Sequence, residues 1–238
     1  MAARKAYAED LTQAYDRRHF GGRSGQHILR RDIRAVESLL GSPGGLVLDI
    51  PCGTGAYLVP LVKGGRDVVA ADASFPMLEV TAQKGVSAAR VLCDLNHLPF
   101  RDGAFDATVT LRLFSHFPRE EILRMLGELR RTVGLHGLVV FDTFRWTPRR
   151  WPVFRRFLEE SFIYVLARGE VEALIEKAGL VRVEARSLYL FSPLWQRKLP
   201  FWLLRALTMV ERFVPEPWLL RTFWACTRDA ESAGEDTS

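Results

Sequence analysis

Between Leu46 and Phe141 the chain switches repeatedly between short apolar runs and helix-period stretches, and that alternation leaves few folds open. Leu46–Ile50, Asp67–Ala71, Arg90–Cys93, Ala107–Leu111 and Leu138–Phe141 read as strands, each short, apolar and followed by turn or helix signals. Ala56–Val62, Pro76–Lys84 and Arg119–Thr132 read as helices, and in the last of these Ile122, Leu123, Leu126 and Leu129 share one face. Strands alternating with helices build βαβ units, whose parallel sheet is covered on both faces. A helix near Gly169–Ala178 and strands at Val181–Leu190 and Thr222–Thr227 follow, which brings the expected sheet to seven strands. The fold class is therefore α/β, doubly wound, with a mostly parallel sheet.

The flanks organise around that core. Residues 1–40 read as an N-terminal helical cap, broken at Phe20-Gly21-Gly22 and closed by Gly41-Ser42-Pro43-Gly44-Gly45. Residues 41–228 form the main domain, with inserted segments at 144–165 and 191–219, and the polar tail 229–238 is expected to be disordered. All six tryptophans lie at or after Trp146, so the composition itself changes near residue 145.

The densest chemical signal is Val47-Leu48-Asp49-Ile50-Pro51-Cys52-Gly53-Thr54-Gly55, a buried strand ending in an acid and running into a glycine turn before a helix. Glycines let the backbone turn sharply and let a ligand approach closely. A P-loop needs a Lys-Ser or Lys-Thr that is absent here. A dinucleotide loop needs a third glycine where Leu58 stands. A carboxylate before the turn suits a ligand carrying positive charge instead. Two more strands also run into an aspartate, so that Asp49, Asp72 and Asp94 recur at spacings of 23 and 22 residues. In a doubly wound sheet these strand ends edge the ligand crevice. Three carboxylates there can meet an ammonium group, a ribose diol and an adenine amine, and they repel phosphates.

These residues, with the acid of VVAADAS, the stretch CDLNHLPFRDGAFD and the stretch LFSHFPREEILRMLGELRRTVGLHG, resemble the class I S-adenosylmethionine-dependent methyltransferases. Within them the chain is similar to the group typified by ubiquinone and menaquinone biosynthesis enzymes, over roughly Val47 to Asp142. The resemblance implies a Rossmann-like fold and S-adenosyl-L-methionine as cofactor. It gives the methionine end to Asp49 and the backbone of Gly53 and Gly55, and the ribose to Asp72, with Ala73 and Met77 flanking the adenosine. It gives the adenine amine to Asp94, with Leu95 against the ring, and sets Thr110, Leu111 and Arg112 beside the sulfonium. Pro51 departs from the family pattern, which has glycine there. Proline lacks an N–H, so loop contacts fall on Cys52 to Gly55.

Past the fourth strand, His116 is a candidate general base, or a residue that fastens the loop. Arg112 is a candidate partner for the cofactor carboxylate or an acidic substrate, or a salt bridge to an aspartate. Tyr15, Arg17, Arg18, His19 and Arg23 lie where the family often folds over its cofactor. His19, His27, His97 and His136 share no metal-ligand spacing, so no metal is expected. Cys52, Cys93 and Cys226 form no CxxC pair and suit a reducing cytoplasm, and no secretory signal is visible at the N-terminus.

The net charge of +5 comes from 28 arginines and only 5 lysines. Residues 144–157 interleave five arginines with five aromatics, a composition that suits single-stranded nucleic acid, an anionic membrane surface or a lid over the substrate. Leu199–Val214 reads as an amphipathic helix with Arg205, Thr208, Glu211 and Arg212 on its narrow polar face. It forms part of a helical cap beside the end of the fourth strand, with Trp195, Phe201, Trp202 and Leu203 toward an acceptor or a lipid. The expected reaction is methyl transfer to a small, hydrophobic acceptor of quinone, lipid or secondary-metabolite type. The alternatives are an RNA acceptor, and a non-catalytic cofactor-binding partner subunit. The expected place is the cytoplasm, with peripheral membrane contact.

Overall fold

The computed structural model describes residue 16 and residues 19–145, 164–191, 193–196 and 199–228. A long helix, α1 (Gly22–Leu40), precedes the sheet. Then follow β1 (Leu46–Asp49), α2 (Leu58–Lys63), β2 (Asp67–Asp72), α3 (Phe75–Ala82), β3 (Ala89–Leu92) and β4 (Phe105–Thr110). After these come α4 (Arg119–Thr132), β5 (Val133–Phe144), α5 (Arg168–Lys177), β6 (Leu180–Leu188), α6 (Phe201–Glu211) and β7 (Arg221–Arg228). The strand order is β3-β2-β1-β4-β5-β7-β6. Strands β1 to β5 pair in parallel, and β7 runs antiparallel between β5 and β6. The expected doubly wound, mostly parallel seven-stranded sheet is the one observed.

Period-2 side-chain alternation explains the two cores. Leu48, Phe141 and Trp224 point to the layer covered by α4 and α5, where they meet Ile122, Leu126, Leu129, Val171 and Leu174. Their strand neighbours Val47, Val140 and Phe223 point to the opposite layer, under α1 and α2, with Val36, Leu39, Leu58 and Leu61. Both faces are buried, so the central strands read as continuous apolar runs.

The loop that carries Asp94 is clamped from α4. Arg131 donates to the carbonyls of Leu98 (3.0 Å) and Phe100 (2.7 Å) and to Asp102 Oδ1 (2.7 Å). Glu128 Oε2 accepts the Leu98 N–H at 2.9 Å. The HLPFRDG and ELRR stretches are thus two halves of one clamp.

Several boundaries shift. β5 begins at Val133 and not at Leu138, because Val133 pairs with Phe105 ahead of a register shift. At Gly137 an added Cβ would sit 2.9 Å from Val133 Cβ and 3.0 Å from Asp106 O, so glycine is required there. The inserted segment expected from residue 144 starts inside the sheet: Phe144 ends β5, and Arg145 bridges Leu166. The rest of that segment up to residue 163, residues 1–15, 17 and 18 of the N-terminal cap, and the tail from 229 lie outside the described residues.

The helical cap between β6 and β7 forms, but it leans on α1 and not on the sheet. Ser24 Oγ donates to Leu199 O (3.3 Å), His27 bonds Thr208 (3.2 Å), and Arg31 pairs with Glu211. Phe201 and Leu203 are half-buried and Trp202 is exposed, with Phe201 edge-on to His27 at 5.8 Å. The Trp195 side chain lies outside the described residues.

Candidate functional site

Asp49 and Asp72 are the last residues of β1 and β2, and Asp94 lies two residues past β3. These strands are neighbours in the order β3-β2-β1, so the three carboxylates line one crevice edge at the carboxyl ends of the sheet. Asp49 is fully buried and its Oδ2 has no hydrogen-bond partner. Burial first, and then the charge of Asp72, push its pKa up to about 8. Asp72 is also raised by burial, against the backbone N–H groups of Ser74, Gly53 and Ala73. Its Oδ2 accepts the Gly53 N–H at 2.8 Å and its Oδ1 the Ser74 N–H at 2.9 Å. Asp94 Oδ1 accepts the Asn96 N–H and side-chain amide at 2.9 and 3.0 Å.

The glycine loop is built to be thin. Ile50–Pro51 is a cis peptide, and Gly53 and Gly55 have φ of 53° and 78°. At Gly55 a Cβ would meet Thr81 Cγ2 at 3.3 Å, and Thr81 Oγ1 donates to Gly53 O at 2.7 Å. The Gly53 N–H is donated to Asp72, and the Gly55 N–H to Cys52 O at 2.9 Å. Both glycine N–H groups thus have acceptors within the protein. The Cys52 N–H is likewise committed, to Ala71 O at 2.8 Å. Burial, then Asp49 and Asp72, push the Cys52 thiol pKa up, which removes it as a nucleophile.

Ala73 is exposed beside Asp72, while Met77 and Leu95 are buried and form apolar walls. Asp16 bonds both Thr54 and Lys84, so the chain ahead of α1 reaches the glycine loop.

On the other side of β1, β4 delivers Thr110, Leu111 and Arg112. Thr110 Oγ1 is buried without a partner, next to the β1 end that carries Asp49. Leu111 is buried. Arg112 has φ of 59°, and its N–H donates to Asp142 Oδ1 at 2.6 Å. Its guanidinium stands 3.7 Å from Asp32 and 4.7 Å over the Phe20 ring. The salt-bridge partner is thus an aspartate of α1, not one of the crevice trio. His116 closes a 3₁₀ turn, Phe114–His116, and is exposed; among the described residues no side-chain hydrogen bond is made to it. The surrounding protein lowers its pKa by desolvation, opposed by the charge of Asp142, so the imidazole is neutral at pH 7.

Sequence reasoning missed the buried network beneath Arg112. Arg221 Nε donates to Asp142 Oδ2 (2.5 Å) and its Nη1 to Asp32 Oδ2 (2.7 Å). Tyr57 and Tyr189 hydroxyls donate to Asp32 at 2.8 and 2.5 Å. Burial alone would raise the Asp32 pKa, but Arg221, Arg112 and the two hydroxyls hold it below the usual carboxylate range. The one sequence cue was an acid inside the apolar stripe of α1, between Ile28 and Val36.

Asp49 Oδ2 and Thr110 Oγ1 are buried polar atoms with no hydrogen bond among the described residues, at the adjacent ends of β1 and β4. A cavity of about 240 Å³ lined by Glu37, Leu61 and Arg66 lies at the opposite, amino-terminal edge of the strands, away from this chemistry.

Residues 47–137 match the model of a methyltransferase domain family. The chain is 33% identical over 170 residues to a demethylmenaquinone methyltransferase of Thermobifida fusca, covering 63% of this chain and 70% of that one. It is 35% identical over 137 residues to a probable tRNA methyltransferase 9B of Mus musculus, covering 57% of this chain but only 29% of that relative. Among solved structures, magnesium protoporphyrin IX methyltransferase from Synechocystis PCC 6803 with bound SAH superimposes with a TM-score of 0.68. That likeness has 15% sequence identity and covers 96% of this chain and 99% of the other, and it speaks for the fold alone.

Proposed function

Because this chain belongs to the class I S-adenosylmethionine-dependent methyltransferases, we propose that it methylates a small hydrophobic acceptor of quinone, lipid or secondary-metabolite type. The observation that carries the reading is His116. Desolvation lowers its pKa, no hydrogen bond is made to its side chain among the described residues, and its chain neighbours Leu113, Phe114 and Phe117 are apolar and buried or half-buried. The relative from Thermobifida fusca, whose name gives demethylmenaquinone as its acceptor, adds support.

S-adenosylmethionine, when bound, supplies an electrophilic methyl group. Asp49 and Thr110 hold the cationic end, Asp72 the ribose hydroxyls and Asp94 the adenine amine, with Met77 and Leu95 as walls. Ionised Asp49 binds a cation more tightly than its protonated form does. His116 takes the proton from a phenol or enol as the acceptor attacks, which is general-base work. Arg112, fixed by Asp142 and Asp32, orients the acceptor at the end of β4.

Labelled methyl donor and full-length protein, offered phenolic quinols and total tRNA, provide the test. Label that enters the organic extract supports the proposal, and label that enters only nucleic acid overturns it. The RNA reading has one observation behind it, the match to the mouse relative. Affinity for tRNA that falls steeply with salt would accompany it.

A further inference from the structure

α6 leaves an apolar stripe on its outer side. Its buried residues are Leu204 and Glu211. Thr208 also turns inward, to His27 at 3.2 Å, and Glu211 pairs with Arg31 and accepts the Leu190 N–H at 3.0 Å. The outward stripe is Trp202, Ala206, Met209 and, in the turn directly after the helix, Phe213. Their 4-3-4 spacing places them one above another on a helical surface. Trp202 is 71% exposed, Met209 61% and Phe213 81%. Glu211 and Thr208 of the polar face turn inward with Leu204, while these large apolar side chains stay outside.

Cations border the stripe on the side that faces α1. Arg205 is exposed on α6 and Arg212 directly after it, the latter with its guanidinium 5.6 Å from the Phe213 ring. Arg23, Arg30 and Arg34 are exposed on α1. The one acid of α6, Glu211, is buried and already paired. Among these described residues the exposed charges next to the apolar stripe are all positive.

We propose that this α6 face docks on an anionic lipid bilayer, with Trp202, Met209 and Phe213 entering the headgroup boundary while Arg205 and Arg212 meet lipid phosphates. An interfacial helix needs an apolar stripe with basic residues alongside, and Trp or Phe at the boundary. A second copy of the chain suits the patch poorly. Three large side chains bury roughly 400–500 Å² at most, against about 800 Å² per partner in a stable protein interface. Among the described residues no helix is long and apolar enough to cross a membrane, so the contact is peripheral. The proposal stands whether or not the acceptor is a lipid.

The experiment is co-sedimentation of the full chain with vesicles of phosphatidylcholine alone and of phosphatidylcholine with about a third phosphatidylglycerol. The expected result is at least ~10-fold stronger partition onto the anionic vesicles. Arg205→Glu with Arg212→Glu abolishes that preference, and Trp202→Ser with Phe213→Ser lowers binding at least ~10-fold. Both pairs alter exposed groups, so each variant keeps its melting temperature within roughly 2 °C and its affinity for S-adenosylmethionine. Equal partition onto the two vesicle types overturns the proposal. So does unchanged vesicle binding by either folded pair, or a concentration-dependent dimer that Trp202→Ser with Phe213→Ser dissolves. Loss of S-adenosylmethionine binding by the unaltered chain would count against the enzyme reading, not this one.

Discussion

Asp49→Asn should make the cofactor-free protein more stable and the cofactor site worse, and the size of the first effect should depend on pH. The carboxyl has an ordinary pKa of 3.8 and one of about 8 in the fold, because burial and then Asp72 oppose its ionisation. Below pH 4 it is protonated in both the folded and the unfolded chain, and it makes no pH-dependent difference. Between pH 4 and 8 the unfolded chain ionises while the folded one holds its proton, so the group costs about 1.4 kcal/mol of stability per pH unit. Above pH 8 both forms are ionised and the cost levels off. At pH 7 the cost is therefore about 4 kcal/mol. Asparagine removes it but must place an amide where Asp49 Oδ2 lies unpartnered, which returns ~1–3 kcal/mol.

A net gain of about 2 kcal/mol remains, which for a domain of this size raises the melting temperature by ~4–8 °C at pH 7. The gap between variant and parent should widen from pH 5 to pH 8. Differential scanning calorimetry across that range reads it directly. The same substitution should weaken S-adenosylmethionine binding at least ~10-fold by calorimetry, because a charge-assisted contact is lost. A melting difference that is flat or reversed with pH would refute the claim that Asp49 is held protonated. Unchanged cofactor affinity would refute its role in holding the cationic end.

Other substitutions separate the roles of the remaining residues. Asp72→Ala should weaken S-adenosylmethionine binding ~10- to 100-fold and also lower the melting temperature, since Asp72 fixes the Gly53 and Ser74 N–H groups. Unchanged affinity in titration calorimetry would remove Asp72 as the ribose ligand. His116→Ala should leave that affinity within about twofold but slow turnover on a phenolic acceptor ~100-fold or more. Because desolvation lowers the His116 pKa from 6.5, the rate should be level from pH 7 upward and fall only in more acidic buffer. A rate that still climbs above pH 7 would contradict this. Gly55→Ala forces a side chain to φ of 78° and against Thr81, so the melting temperature should drop by ~3–6 °C. An unchanged value would mean that the loop relaxes without cost.

What the sequence disclosed was what periodicity and position can carry. The alternation from Leu46 to Phe141 gave the parallel sheet, and the strand-end rule placed Asp49, Asp72 and Asp94 on one edge before any coordinates. Boundaries slipped where glycine replaced the apolar signal, as at Val133–Gly137 ahead of the central part of β5. The commitment of the Gly53 and Gly55 N–H groups was hidden because a motif gives residue types and not hydrogen-bond partners. The polarity of α6 was hidden for a different reason. A hydrophobic pattern says which face is apolar, but Arg31 and His27, some 180 residues away in sequence, draw Glu211 and Thr208 inward and leave Trp202 and Met209 outside.

The network around Arg221 shows how these levels meet at the site. Arg221 and Asp142 come from the two antiparallel partners β7 and β5, and Asp32 from α1, so one fully buried guanidinium ties three elements together. Two carboxylates and one fully buried guanidinium would leave an uncompensated negative charge, and Arg112, at the half-exposed rim, supplies the balancing cation. Buried ions are tolerated when they are paired and hydrogen-bonded, and removing any one of them exposes the others' desolvation cost. The position of Arg112 at the end of β4 is thereby set by Asp142 and Asp32. An acidic group on an acceptor would compete with Asp32 for Arg112, whereas a neutral one leaves the balance intact. An uncharged acceptor of the kind proposed would leave the Arg112–Asp32 contact as it stands.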